Sequence, residues 1–428
     1  MSALAAAGMP APPAPEELPR LLSGLRRGAG AVTLAEHRAR WGDLPAPGDL
    51  AGLVEASGLT GRGGGAFPTG RKLRAVAQAG RRSVVVGNGV EGEPASAKDK
   101  VLMRRVPHLV LDGLVLAAEA LGAEETILAL GEGSAAERAA LEAALAERER
   151  ARLDRLPVRL ASIPDRFVAG EETALVRCLN GGPPKPTLTP PRPFERGVRG
   201  LPTLVQNVET LANVALVARF GPRWFRGLGT ADEPGTALVT LDGAVARPGV
   251  YEVPLGFPLE QLLAWAGGTS APLEAVLLGG YFGTWIPAAE ALASTLADAD
   301  LAAAGASLGA RTVFALPVGA CGIVETARVA RYLAGESAGQ CGPCVHGLDA
   351  VAGALERLAA RGSAQRGTRE RLLRWLEQVK GRGACRHPDG AARLVESALD
   401  VFAEELQRHA RGGCSGRSRP LLRLAPRR

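Results

Sequence analysis

Between Ser83 and Ala161 the chain alternates short β-branched or apolar runs with longer segments of helical period, and this alternation constrains its fold more than any other feature. Residues 83–86 (SVVV), 125–130 (ETILAL) and 157–161 (PVRLA) read as strands. Residues 108–122 (HLVLDGLVLAAEALG) and the Arg/Glu/Ala-rich 134–153 read as helices. Strands parted by helices predict an α/β domain with a largely parallel sheet. Ahead of it, GLTGRGGGAFPTGRKL (58–73) is a glycine-rich loop running into a helix. Behind it, the prolines of GGPPKPTLTPPRPF (181–194) mark a connector or surface loop.

The texture changes near residue 236. TALVTLDGAV, GVYEVPLG, a short helix PLEQLLAWAGG and EAVLLGGYFG read as a small mixed β domain. From about residue 322 the chain is nearly all helix, with apolar residues at i, i+3, i+4 and i+7, as bundle helices require. A chain of 428 residues is long for one domain. The expected division is a flexible tail at 1–24, an α/β domain at 25–233, a β domain at 234–318, a helical domain at 319–415 and a basic tail at 416–428. The N-terminal tail has no basic n-region and prolines break its apolar run, so a cytoplasmic chain is expected rather than a secreted one.

The formal net charge of +7 comes from forty-six arginines and only five lysines, dispersed without a basic block, and aromatics make up 4% of residues. Nucleic-acid binding needs clustered cations or an aromatic stacking platform, so no nucleic-acid partner is expected. A phosphorylated cofactor or an acidic partner protein suits the charge better. Of six cysteines, Cys178 lies in an apolar helical run and reads as a core thiol. The other five fall in the last quarter of the chain, which points to metal or redox chemistry there.

Four polar loops carry the candidate chemistry. The glycines between Gly58 and Gly70 let backbone amides wrap an anion, with Lys72 adding a point charge, although a merely flexible loop is the plain alternative. Asn88–Pro94 (NGVEGEP) follows a strand, where an α/β fold puts its ligand crevice. Gly170-Glu171-Glu172-Thr173 and Gln206-Asn207-Val208-Glu209-Thr210 each open a helix. Taken singly, their acids suit the positive end of the helix dipole; taken together, the four loops make one cofactor crevice.

In order and spacing, GRGGGAFPTGRK, GNGVEGEP, VAGEETAL and QNVETLANV resemble the flavin- and NADH-binding subunit of bacterial NADH-quinone oxidoreductase, a family also represented in NAD-linked hydrogenases and formate dehydrogenases. VARPGVYEVPLG resembles that subunit's soluble-ligand-binding β-grasp domain, and ESAGQCGPCVHG its iron–sulfur motif. The resemblance spans roughly residues 55 to 410. It implies an α/β flavin domain followed by a small ubiquitin-like β-grasp domain and a C-terminal helical bundle. It also implies FMN, an iron–sulfur cluster of the 4Fe-4S or 3Fe-4S type, and NAD(H). The matching cofactor-binding positions are Gly61, Gly63, Phe67, Lys72, Asn88, Glu91, Glu93, Gly170, Glu171, Glu172, Asn207 and Thr210, with Lys72 assigned to the flavin phosphate. No side chain is expected to act as a catalytic acid or base.

Several positions depart from the family pattern. Val90 stands where an aspartate is usual, Phe167 for a tyrosine and Gln206 for an asparagine. Of the three phenylalanines that clasp adenine in the family, only Phe67 remains, with Ala75 and Arg192 at the other two positions and Thr189 where a lysine is usual. Weakened NADH binding follows. The cluster motif S-C-G-x-C-x-P-C appears as Ser337-Ala338-Gly339-Gln340-Cys341-Gly342-Pro343-Cys344, with Cys385 as the distant ligand. The resemblance thus implies Cys341, Cys344 and Cys385 as the metal ligands; Ala338 leaves the fourth place to another ligand, to water at one iron, or to a three-iron cluster. Cys414 on the C-terminal tail, His346 and His387 are candidates. Cys321 stands off by a helix of roughly 25 Å.

The expected function is a flavo-iron–sulfur electron-transfer subunit, NADH dehydrogenase-like. It would hand electrons to a ferredoxin-like or other iron–sulfur carrier subunit, and through that partner it would lie peripheral to a membrane-bound reductase. The alternative is a non-catalytic assembly homologue that keeps the fold and has lost its cofactors.

Overall fold

The computed structural model describes residues 18–25, 30–46, 48–79, 82–362, 367–416 and 420–425. Four strands, β1 (Val84–Gly89), β2 (Glu125–Gly131), β3 (Val158–Ile163) and β4 (Thr203–Asn207), form a parallel sheet of order β3-β2-β1-β4. Val84 and Val86 enter one apolar core and Val85 another, so the sheet is covered on both faces. That is why β1 reads as an unbroken apolar run rather than an alternating one. β4 is absent from the sequence pattern: its five residues follow the proline-rich connector, and the start of the next helix masks them.

Helices Pro107–Ala120 and Val208–Phe225 pack against each other beneath this sheet. Their backbones approach so closely that a Cβ on Gly113 would lie 1.8 Å from the carbonyl oxygen of Leu211, a contact only glycine permits. Asp112, on the same helix, is buried and satisfied by Arg148 at 2.6 Å, His37 at 2.7 Å and Arg219. A buried carboxylate is tolerable when it is paired and hydrogen-bonded in this way.

A second sheet contains β5 (Thr236–Gly243), β6 (Gly249–Pro254), β7 (Leu273–Leu278), β8 (Thr284–Pro287) and β9 (Thr312–Pro317), in the order β6-β5-β9-β7-β8. Its pairings are antiparallel except β5 with β9. Hydrogen bonds join it to the first unit: Ala97 N to Thr240 Oγ1 at 3.0 Å, Leu238 N to Glu209 Oε1 at 2.9 Å and Tyr281 N to Glu93 Oε2 at 2.8 Å. Beyond β9 come helices Gly322–Gly335, Leu348–Ala359, Thr368–Val379, His387–Val401 and Ala403–Ala410.

Both expected tails need correction where they are described. Leu21 is fully buried, and the amides of Arg20, Leu21 and Leu22 donate to the Glu252 carboxylate at 2.9, 3.0 and 3.0 Å. At the other end the amides of Leu421 and Leu422 donate to the Glu325 carboxylate at 3.2 and 3.0 Å, and Arg423 pairs with Asp242 at 3.1 Å. Polar partners far away in the chain capture these segments, and local composition does not reveal them. Residues 1–17, 417–419 and 426–428 of those tails lie outside the described residues. Among the described residues no helix is long and apolar enough to cross a membrane.

Candidate cofactor cleft and cluster loop

A cleft of about 840 Å³ opens beyond the C-terminal ends of β1 and β4. Gly63, Asn88, Glu91, Glu93, Gly170, Glu171 and Asn207 line it, which brings together seven of the twelve expected cofactor-binding residues. Gly61, Phe67, Lys72, Glu172 and Thr210 are not in its lining. Thr210 is buried behind the glycine-rich loop and accepts the Arg62 amide at 2.8 Å. Gly61 closes the base of the loop, its amide donating to Phe67 O at 2.9 Å and its carbonyl accepting from Arg311 Nη2 at 3.4 Å. Lys72 donates to Glu172 Oε2 at 2.7 Å, and Arg192 lies 3.8 Å from the other oxygen of that carboxylate. Phe67 is 56% exposed.

Two acids of the cleft, Glu91 and Glu171, are helix caps, as is Asn207, and this reconciles their two readings. Glu91 accepts the amides of Asp99 and Lys100 at 3.2 Å each, at the start of helix Lys98–Arg105. Glu171 accepts those of Thr173 and Ala174 at 3.0 Å each, opening helix Glu172–Leu179. Asn207 accepts the Glu209 amide at 3.0 Å, opening helix Val208–Phe225, and donates to Asp99 Oδ2 at 2.7 Å. Three helix N-termini thus converge on one cleft, and their combined dipoles favour an anionic group there.

Close backbone contacts hold the loops in register. A Cβ on Gly170 would lie 2.6 Å from Val90 O, and Asn88 Nδ2 donates to Gly170 O at 2.8 Å. Burial pushes the Glu93 carboxyl up to about 7, with Glu91 adding to the shift against the amide donors Tyr281 and Ala95. Burial likewise raises Asp99 to about 6, although the Lys98 ammonium is 2.7 Å away. Lys98, which also pairs with Glu209 at 2.9 Å, and Asp99 both line the cleft, and sequence reasoning missed them. Their place at a helix start directly after the NGVEGEP loop was the available signal.

The far wall of the cleft comes from the helical region. Phe167 packs edge-on against Phe282 with ring centroids 4.8 Å apart, and both rings contact His387. The Nε2–H of His387 donates to Leu333 O at 2.8 Å, which leaves the buried Nδ1 as the nitrogen without a hydrogen-bond partner. Cys385 belongs to this wall too. Burial pushes its thiol up to about 11, and nearby Cys344 and Cys341 add to the shift. Cys344 sits in a single π-helical turn, Pro343–Gly347, and its thiol is raised by burial and by Cys341 against donors from Ser337 and the Ala338 amide. Cys341, Cys344 and Cys385 are therefore together, with buried Ala338 bonded to their edge. Cys414, considered for the fourth position, lies instead with Cys321, Glu405 and His409.

Residues 54–216 match the family model for the Nuo51 FMN-binding domain, 238–278 that for the SLBB domain, and 325–409 that for the NADH-ubiquinone oxidoreductase-F iron-sulfur binding region. An F subunit of the NADH-quinone oxidoreductase of Rhizobium meliloti is 35% identical over 403 residues, covering 91% of this chain and 94% of that protein. The chain belongs to the family of NADH-quinone oxidoreductase F subunits. Its counterpart in Streptomyces coelicolor is 34% identical, covering 86% of this chain and 85% of its own length. A crystal structure of an NAD+-reducing NiFe-hydrogenase in its air-oxidized state superposes with a TM-score of 0.79 at 36% identity. That match covers 84% of this chain, which in turn spans 62% of the hydrogenase chain.

As a member of this family the chain is a flavo-iron–sulfur electron-transfer subunit, an NADH dehydrogenase-like oxidoreductase with FMN and iron–sulfur cofactors. The residues present fit both groups. Glycines 63–65 offer backbone amides uncovered by side chains, and Arg311 and Thr210 tie the loop's backbone from behind at the Arg62 carbonyl (2.5 Å) and amide (2.8 Å). Cys341, Cys344 and Cys385 gather beside the cleft as a thiol set suited to iron, and metal binding would release the protons that burial favours on Cys344 and Cys385.

Proposed function

We propose that FMN occupies the cleft with its phosphate at glycines 63–65 and the converging helix starts, and that it exchanges electrons with a cluster held by Cys341, Cys344 and Cys385. The observation that carries this reading is that one cleft is lined both by the glycine-rich loop and by Cys385. Bound FMN would take two electrons as hydride and release them singly, which is the conversion an iron–sulfur exit requires.

The chain's own residues supply position and field. Asn88 and Asn207 fix the loops at the strand ends, Glu91 and Glu171 hold two helix starts, and Lys98 balances Asp99 and Glu209. Phe167 and Phe282 give the wall nearest the cluster an apolar face. Lys72, Glu172 and Arg192 form a chain of ion pairs away from the cleft lining. We assign them, with exposed Phe67, to the nicotinamide nucleotide rather than to the flavin phosphate. Exposed Val345, next to Cys344, marks the face toward an iron–sulfur carrier partner, ferredoxin-like, belonging to a larger reductase.

The division at residues 25, 234 and 319 is retained with the packed tails assigned to the body. The five-stranded sheet with helix Leu259–Trp265 is read as the ubiquitin-like β-grasp module and the five later helices as the bundle. Each missing aromatic partner for adenine, at Ala75 and Arg192, costs about 1 kcal/mol, so NADH binding is about tenfold or more weaker than with all three rings. Anaerobic protein should carry flavin and iron together, and stopped-flow bleaching of the flavin should saturate only at high NADH. Protein purified without flavin, or saturating at an NADH level that Arg192→Phe does not lower, would count against this assignment.

A further inference from the structure

A second group of metal-ligating side chains lies apart from the cleft, at the other end of the helix that leads to the cluster loop. Cys321 follows β9 and caps helix Gly322–Gly335, its sulfur accepting the Val324 amide at 3.4 Å. Helix Ala403–Ala410 presents Glu405 and His409 one turn apart on the same face. The turn that follows brings Cys414 back toward them. One ligand atom from each of Cys321, Glu405, His409 and Cys414 lies within 4.8 Å of all the others. His409 Nε2 is 3.4 Å from Cys321 Sγ and 3.1 Å from Glu405 Oε1.

Size and chemistry both indicate the occupant. Zinc bonds to sulfur, nitrogen and oxygen run about 2.0–2.3 Å, so the corners of a tetrahedron around one ion stand roughly 3.3–3.8 Å apart. The two spacings at His409, 3.4 and 3.1 Å, fall in or near that range, and the whole group fits within 4.8 Å. Two thiols, an imidazole and a carboxylate form a borderline-soft set, which selects zinc over magnesium or calcium. Cys321, Glu405 and His409 are buried and Cys414 is half-buried, so the site is closed by protein, as structural zinc sites are.

We infer that Cys321, Glu405, His409 and Cys414 bind a single zinc ion that fastens the last helix and the returning C-terminal segment to the exit of the second sheet. The surrounding packing already draws these parts together. A Cβ on Gly416 would lie 2.9 Å from Cys321 Cβ, and the Ser415 amide donates to Glu405 Oε1 at 2.7 Å. The Val324 amide at Cys321 Sγ is the kind of outer hydrogen bond that orients a metal-bound thiolate. Cys341, Cys344 and Cys385 take no part in the site, so the two metals should load independently.

The test is elemental analysis of the full-length protein, expressed with added zinc and purified anaerobically without a polyhistidine tag or chelator. About one zinc per chain is expected in addition to iron, as a closed four-ligand site retains its ion through dialysis. Cys414→Ser and His409→Ala should each lose that zinc and keep flavin and iron. Replacing zinc by cobalt should give a thiolate-to-cobalt charge-transfer band and tetrahedral ligand-field bands in the visible spectrum. This readout on the wild-type chain serves even if a variant fails to fold. Wild-type protein with far less than stoichiometric zinc overturns the inference. So does a Cys321–Cys414 disulfide in the mass spectrum of unreduced protein, a cobalt form lacking the charge-transfer band, or a folded variant that keeps its zinc.

Discussion

The cysteines at the two ends of helix Gly322–Gly335 make contrasting sites. Beyond its C-terminal end, Cys341, Cys344 and Cys385 come from two loops and leave the fourth position to the methyl group of Ala338. At its N-terminal end, Cys321 meets Glu405, His409 and Cys414, four donors of three chemical kinds within 4.8 Å of one another. Thiols alone, at the edge of a redox cleft, suit a cluster that must exchange electrons. Mixed donors sized for one ion and sealed in packed helices suit a redox-inert metal.

The largest expected effect separates the two sites. Cys385→Ser should bring cluster iron down to background while leaving zinc unchanged, the reverse of Cys414→Ser. Iron lost from both variants would mean that Cys414 is a cluster ligand after all. A smaller effect is expected from Ala338→Cys. Ala338 is 6% exposed and its amide already donates to the Cys344 sulfur, so a thiol there sits beside the other three. That variant should lose its cluster more slowly in air and show less of the oxidised three-iron EPR signal. An unchanged rate of loss would mean that the fourth iron is already protected by another ligand.

On the opposite wall of the cleft, Thr210→Val removes the acceptor of the Arg62 amide behind the glycine-rich loop. One such hydrogen bond is worth about 1 kcal/mol, so flavin should bind about fivefold more weakly, with iron and zinc both intact. The smallest effect concerns pH. The Glu93 carboxyl is raised from its ordinary range to about 7. The unfolded chain therefore releases that proton first, and stability should fall as pH rises from about 4.5 to about 7, then level off. In Glu93→Gln this part of the slope should vanish from thermal melts across that window; an unchanged slope would mean that Glu93 is already ionised there.

Local pattern carried much of this architecture, and the failures share a physical cause. β1, β2 and β3 announce themselves as β-branched or apolar runs between helices. β4 is short and ends at a helix cap, so Gln206-Asn207 looks helical. β8 and β9 complete the second sheet but lie among short loops and turns, where nothing local marks them as pairing with β7. At the site, the motif loops mark Gly63, Asn88, Glu91, Gly170, Glu171 and Asn207 because a ligand-binding backbone needs glycine and helix starts need caps. Lys98, Phe282 and the Cys321–Cys414 group depend on contacts between distant segments. Ion pairing makes the same point: Lys72 donates to Glu172, a hundred residues further along the chain, a contact that no local pattern marks.

The most direct test of electron passage from the cleft to the three-thiol site is rapid-freeze EPR of anaerobic protein mixed with excess NADH, read beside flavin absorbance. The cluster signal should change as the flavin bleaches in the wild-type chain. In Cys385→Ser the flavin should bleach with no cluster signal at all. A wild-type flavin that bleaches while the cluster signal stays unchanged, or a signal that persists in Cys385→Ser, would contradict the route described here.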